Sequence, residues 1–83
     1  MVQEHDIVAI FNSIHRVMKA EKALKLARVE ILLIPVPRQL SSDCGLAIRF
    51  ASEDRRRVEE VLTREGIGQA DYFRREGEGF GPA

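Results

Sequence analysis

The order of apolar patterns along the chain is the feature that most restricts its fold. Four β-rich segments and two amphipathic helical segments follow one another in the order βαββαβ. The β segments are expected at residues 6–11, 29–35, 46–51 and 69–74. Helices are expected over residues 14–28 and between Ser52 and Gly66. Two βα units joined by a central β-hairpin most simply form an α+β, ferredoxin-like sandwich, in which a four-stranded antiparallel sheet carries two helices on one face.

The length of the chain predicts one domain. Its 83 residues include 45% apolar and 31% charged residues, a composition with which a single core can form. We assign this domain to residues 1–75. The tail at residues 76–83 is rich in glycine, and we expect it to be disordered.

The charge pattern argues against nucleic acid or a membrane as partner. Thirteen basic residues balance thirteen acidic ones, so no overall field attracts an anionic polymer or surface. Acidic residues flank the basic run at residues 55–57, as on a solvated helix face. The longest apolar run, residues 31–36, is too short to span a membrane. Because the first residues show no signal-peptide pattern, we expect a cytoplasmic location.

The loop between the second and third β segments, residues 35–45, carries the only cysteine, Cys44. One cysteine excludes an internal disulfide, and with two histidines it excludes a four-ligand Cys/His zinc site. In the predicted topology this loop lies at the same end of the molecule as the turn into the first helix. We therefore expect Cys44 to lie near Ser13, near His15 and near the N-terminus of that helix.

Those neighbours favour a reactive thiolate at Cys44. A helix N-terminus presents unpaired N–H groups and a partial positive charge, which stabilise an anion. Further cations or N–H donors are expected from His15, Arg38, Ser41, Ser42 and Gly45. The same residues also fit a purely structural role, since a lone cysteine often packs as a small hydrophobe and serines often satisfy turn backbone groups. The residues alone leave both interpretations open.

A longer motif surrounds the cysteine. Residues 35–50 read Pro-Val-Pro-Arg-Gln-Leu-Ser-Ser-Asp-Cys-Gly-Leu-Ala-Ile-Arg-Phe. This stretch resembles the pattern Pro-x-Pro-Arg-x-x-Ser-Ser-x-Cys-Gly-x-Ala-[Leu/Ile]-Arg of small bacterial selenium/sulfur carrier-like domains, a family of uncharacterised function. Matches at Phe11, Ser13, His15 and residues 19–21 extend the resemblance over residues 6–63.

The resemblance implies that Cys44 is a carrier thiol and that His15 is its neighbour. It also implies that six loop residues shape the site: Pro35, Pro37, Arg38, Ser41, Ser42 and Gly45. Some family members are fused to a sulfur-transferase-like domain, which this sequence does not contain. Sulfur or selenium donor and acceptor proteins are therefore expected to act in trans.

The face of the sheet opposite the helices is expected to be apolar. Strand alternation turns five residues toward it: Val8, Ile10, Leu32, Ile34 and Ala47. A contiguous apolar patch on a small domain usually marks an interaction surface. We therefore expect a homodimer, or docking of a partner protein, through this face or through the edge of the second strand.

Three functions fit these features. The first is a sulfur or selenium carrier that uses Cys44 as persulfide or selenide acceptor. The second is a regulatory module that binds an anion or small molecule at Arg38, Ser41, Ser42 and the first helix N-terminus. The third is a protein-interaction domain. A stand-alone enzyme is less expected, because the sequence shows no paired carboxylates, Ser-His-Asp set or phosphate loop, and we predict no cofactor.

Overall fold

A computed structural model describes residues 3–40, 45–68 and 70–83 of the chain. Its elements are β1 (Ile7–Ile10), α1 (Ile14–Leu26), β2 (Ile31–Pro35), β3 (Leu46–Phe50), a 3-10 turn (Ser52–Asp54), α2 (Arg55–Arg64), β4 (Asp71–Glu76) and β5 (Gly79–Pro82). The predicted order of elements is confirmed through β4. The second helix was expected to start just after Ser52, but Ser52–Asp54 form a 3-10 turn and α2 begins at Arg55.

The strands form one antiparallel sheet in the order β2-β3-β1-β4-β5. The prediction of four strands is wrong, because the glycine-rich tail pairs with β4 as a fifth strand and is not disordered. Gly77 takes a positive φ of 63° in the two-residue turn between β4 and β5, a conformation that favours glycine. The chain therefore has an α+β fold with two helices and a five-stranded antiparallel sheet, in place of the predicted four-stranded ferredoxin-like sandwich.

The main core lies between the two helices and one face of the sheet. It includes Val17 and Leu24 of α1, and Val58 of α2. Strand residues packed in this core are Ile7, Ala9, Ile48 and Phe50, with Ile31, Leu33 and Leu46 at its margin. Strand alternation that turns Val8, Ile10, Leu32, Ile34 and Ala47 to one face turns their neighbours to the other, and six of those neighbours lie in or beside this core as that pattern predicts: Ile7, Ile31, Leu33, Leu46, Ile48 and Phe50. Among the described residues, no helix is long and apolar enough to cross a membrane.

A second core covers the opposite face of the sheet. Val8, Ile10, Ile34 and Ala47 are buried there, whereas Leu32 is 43% exposed. The hydrophobic residues packed against the buried four come from the loop after β2 and from β4 and β5: Val36, Leu40, Phe73 and Phe80. The predicted exposed apolar face is therefore wrong at four of its five positions. The homodimer based on that face stays a prediction.

Both helices end in a Schellman motif, in which two N–H groups beyond the helix donate to carbonyls of its last turn. The motif requires a positive φ at the first residue after the C-cap. Gly66 takes this position after α2 at φ 65°, as the sequence predicts. Arg28 takes it after α1 at φ 62°, where a side chain is sterically disfavoured.

The substitution Arg28→Gly is expected to raise the free energy of unfolding by about 0.5–1 kcal/mol. A left-handed backbone costs a non-glycine residue about 1–3 kcal/mol, and the added flexibility of glycine in the unfolded chain offsets part of the gain. Urea denaturation followed by circular dichroism measures the change. The matched control is Gly66→Ala, which is expected to lower stability by about 1 kcal/mol. A destabilising Arg28→Gly would contradict the prediction.

Candidate functional site

The two ends of the Cys44 loop are held together at the sheet. Pro35, the last residue of β2, pairs with Leu46, the first residue of β3. One step further out, the N–H of Val36 donates to the carbonyl of Gly45 at 3.0 Å. Gly45 has a positive φ of 75°, which glycine adopts without steric cost. Three predicted site residues, Ser41, Ser42 and Cys44, lie outside the described residues.

The loop begins and ends at the same end of the sheet as the turn into α1. Ile10, the last residue of β1, pairs with Ala47 near the start of β3 and with Asp71 at the start of β4. The connections that follow β1 and β2 and those that precede β3 and β4 therefore share one end of the molecule. This confirms the predicted arrangement of the strand ends. The predicted contact of Cys44 with Ser13 and His15 involves Cys44, which lies outside the described residues.

The described part of the loop lies on the face of the sheet opposite the helices. The N–H of Leu40 donates to the carbonyl of Pro37 at 2.9 Å, and Leu40 packs in the second core. The side-chain amide of Gln39 donates to the carbonyl of Glu78 in the β4–β5 turn at 3.0 Å. Arg38 is exposed. Sequence reasoning missed the Gln39 contact because it treated the β4–β5 hairpin as a disordered tail.

A pocket of about 490 Å³ separates this loop from the β4–β5 hairpin. Its lining residues are Ile34, Pro35, Val36, Pro37, Gln39, Arg75 and Phe80. The guanidinium carbon of Arg75 lies 5.8 Å from the centroid of the Phe80 ring, within cation–π range. The pocket therefore combines apolar walls with one cation, beside a loop that the sequence predicts to be functional. Arg75 and Phe80 were not predicted, and the sequence signal for Phe80 is a single aromatic residue that follows the turn glycine Gly77.

Ser13 and His15 lie in the helix layer, whereas Pro37 lies on the opposite side of the sheet. Ser13 occupies the N-cap position of α1 with an extended backbone, but its side chain makes no capping hydrogen bond within the described part of the chain. His15 is exposed. It lines a second pocket, of about 230 Å³, together with Arg16, Lys19, Gly66, Ile67 and Gly68.

A third pocket, of about 450 Å³, lies between α2 and β4. Tyr72 lines it beside Glu59 and Thr63. Burial raises the pKa of the Tyr72 phenol, and the Glu59 carboxylate adds to the rise. The Arg55 guanidinium, whose central carbon lies 4.9 Å from the ring centroid, opposes it. The phenol is therefore held in its neutral form. Within residues 3–40, 45–68 and 70–83, no group of three or more His, Cys, Asp or Glu side chains could hold a metal ion.

Comparison with known protein families bears directly on the Cys44 loop. A family model described as "Putative Se/S carrier protein-like" matches residues 6–74. The chain belongs to this family. The match to the selenium/sulfur carrier-like family spans both helices, β1–β3, the whole of the loop and the start of β4, whereas β5 lies beyond it. It confirms the resemblance inferred from the motif at residues 35–50. No curated protein and no solved structure matches the chain.

Proposed function

We propose that this domain carries sulfur or selenium on Cys44, which accepts the atom from a donor protein and passes it to an acceptor. The observation that carries the proposal is the match to the selenium/sulfur carrier-like family over residues 6–74, because it includes the loop with the only cysteine of the chain. Donor and acceptor act in trans.

The transfer step is a thiolate exchange at sulfur. The Cys44 thiolate attacks the outer sulfur of a donor persulfide, R–S–SH, and a bond forms between Sγ and that sulfur. The donor S–S bond breaks, its electron pair stays on the inner sulfur, and the donor leaves as the thiolate R–S⁻. Cys44 then holds –S–SH. No net oxidation occurs, and the same balance applies when selenium replaces the outer sulfur.

The described loop ends support this role. The Val36–Gly45 hydrogen bond closes the loop at Gly45, the residue that follows Cys44 in the sequence. Gly45 is exposed and has no side chain, so it leaves room for a partner to approach the neighbouring residue. Pro35 and Pro37 each restrict the backbone of the segment that leaves β2. These features suit a thiol that meets a second protein at a defined place.

Incubation with a cysteine desulfurase and cysteine is expected to add the mass of one sulfur atom to the wild-type chain. Intact-mass spectrometry measures the addition, and a reducing agent is expected to remove it. Cys44→Ser is expected to show no addition, since the chain has no other thiol. Alkylation of the loaded and unloaded protein with iodoacetamide locates the sulfur on Cys44.

Two results would contradict the proposal. One is the absence of added sulfur on the wild-type chain with both the desulfurase and a small persulfide as donor. The other is a Cys44 thiol that resists iodoacetamide in the folded protein but reacts after denaturation, because a buried, inert thiol cannot meet a donor.

A further inference from the structure

The α1 helix carries an excess of positive charge in a chain whose net charge is zero. Its charged residues are Arg16, Lys19, Lys22, Lys25 and Glu21. The single acid, Glu21, pairs with Lys25 at 3.2 Å. Arg16 donates to the side-chain amide oxygen of Asn12 at 3.3 Å, and this neutral partner does not neutralise the guanidinium charge. On α2, by contrast, acids and arginines are mixed, as in the Arg55–Glu59 pair at 3.4 Å.

Exposed apolar residues lie among these cations. Of the four large hydrophobic residues that are exposed in the described part of the chain, three belong to α1: Ile14, Met18 and Leu26, the last at 76% exposure. Together with Lys22 they are spaced four residues apart, so they form one ridge along the helix. Apolar and methionine side chains surrounded by charged residues are typical of protein–protein interfaces.

A recess beside this ridge suits a carboxylate. The pocket of about 230 Å³ is lined by three basic side chains, His15, Arg16 and Lys19, and by residues 66–68 of the α2–β4 connection. Gly68 borders the guanidinium of Arg16, since a Cβ at this position would lie in van der Waals contact with Nη1, 3.5 Å away. Guanidinium and ammonium groups bind carboxylates through charge-assisted hydrogen bonds. An Asp or Glu side chain of a partner therefore fits this recess in size and charge.

The recess and the first half of the ridge, Ile14 and Met18, lie next to the end of the sheet at which the Cys44 loop starts and stops. α1 begins at Ile14, four residues after Ile10, and the pairing of Ile10 with Ala47 places this turn beside the start of β3. A protein seated on the first half of α1 would therefore contact the same end of the molecule as Gly45.

We propose that the outer surface of α1 docks the protein that donates the sulfur or selenium atom, through an acidic surface of that donor. The inference rests on the proposed carrier function. A membrane surface fits less well as the partner of α1. The main apolar face of the helix, with Val17, Ala20 and Leu24, is buried in the core, and only the narrow ridge is left for contact outside. Complementary charge at such a surface acts mainly on the rate of association, which makes the docking measurable by kinetics.

The experiment measures the rate of loading from two sulfur donors, for the wild-type chain, a charge variant of α1 and a control variant of α2. Lys19→Glu combined with Lys22→Glu is expected to slow persulfide loading from a cysteine desulfurase about tenfold at low ionic strength, since two of the four cations of α1 become anions. Loading from cysteine persulfide, which needs no docking, is expected to stay within about twofold of wild type. The matched control, Arg56→Glu with Arg64→Glu on α2, changes the net charge equally and is expected to leave both rates within about twofold. Circular dichroism checks that each variant is folded.

Results that differ from these expectations would contradict either the α1 docking surface or the carrier function. Equal slowing by the α2 control, or no slowing by the α1 variant, would overturn the docking surface and leave the carrier function standing. Loading of the wild-type chain by cysteine persulfide but not by the desulfurase would also overturn it. If the α1 variant loses binding to phosphatidylglycerol vesicles but is loaded normally, the surface is a membrane contact and not a donor site. Failure of both donors with the wild-type chain would overturn the carrier function itself.

Discussion

Val8→Lys is expected to leave most of the chain unfolded at room temperature. Val8 is fully buried on the face of the sheet opposite the helices. An unpaired ammonium group at such a site costs several kcal/mol even after local relaxation. The total stability of a domain of this length is roughly 4–12 kcal/mol, so the substitution removes much or all of it. Urea denaturation followed by circular dichroism measures the loss.

Leu32→Lys is the matched control for Val8→Lys. Leu32 belongs to the same face but is 43% exposed, so its replacement is expected to change stability by less than about 1 kcal/mol. If Val8→Lys fails to fold, Val8→Ala supplies the measurement, with an expected loss of about 2 kcal/mol. Equal stability of Val8→Lys and Leu32→Lys would show that the face is open to solvent, as the sequence pattern suggested, and would contradict the second core.

Arg49→Ala is expected to lower the free energy of unfolding by about 3 kcal/mol. The register pairs Arg49 with Val8, so its side chain lies on the same face. There its Nε atom donates to Oδ2 of Asp6 at 2.8 Å, and the backbone N–H of Gln3 donates to the same oxygen at 2.9 Å. Asp6 is only 7% exposed. Removal of one partner of such a pair leaves the other charge poorly solvated, which costs about 3–5 kcal/mol when burial is complete.

The exposed pair of α1 provides the contrast. Lys25→Ala removes a salt bridge whose lysine side chain is 63% exposed, and the expected loss is at most about 0.5 kcal/mol. A double variant, Asp6→Ala with Arg49→Ala, tests whether the buried charge is the cause. It is expected to lose less stability than the two single losses added together, because neither charge is left without its partner. Additive losses would contradict the explanation.

Local patterns predicted the elements of the main core. Alternation in β1 and β3 indicated which side chains face the helices, and Ile48 and Phe50 lie where that pattern placed them. Gly66 ends α2 as predicted, because a positive φ after a helix is a local requirement that glycine meets. The motif at residues 35–50 indicated the family, because a motif is read along the chain and needs no tertiary contact.

Long-range contacts decided the rest of the described site. Phe80 lies between two glycines in the sequence, and no local pattern shows that its side chain packs against the second core of the sheet. Leu40 and Gln39 likewise find their partners across the sheet, in the second core and at Glu78. The pocket between this loop and Arg75 exists only because β5 pairs with β4.

The sequence by itself therefore determined the βαββαβ order, the helix-facing core and the family. Periodicity and motifs encode these features within short windows of the chain. Only the tertiary structure decided that β5 extends the sheet and that residues 36–40 cover its second face. Both depend on which apolar groups from distant parts of the chain can be buried together. The free energy of burial depends on the surface that these segments remove from water when they pack, so no single segment determines it.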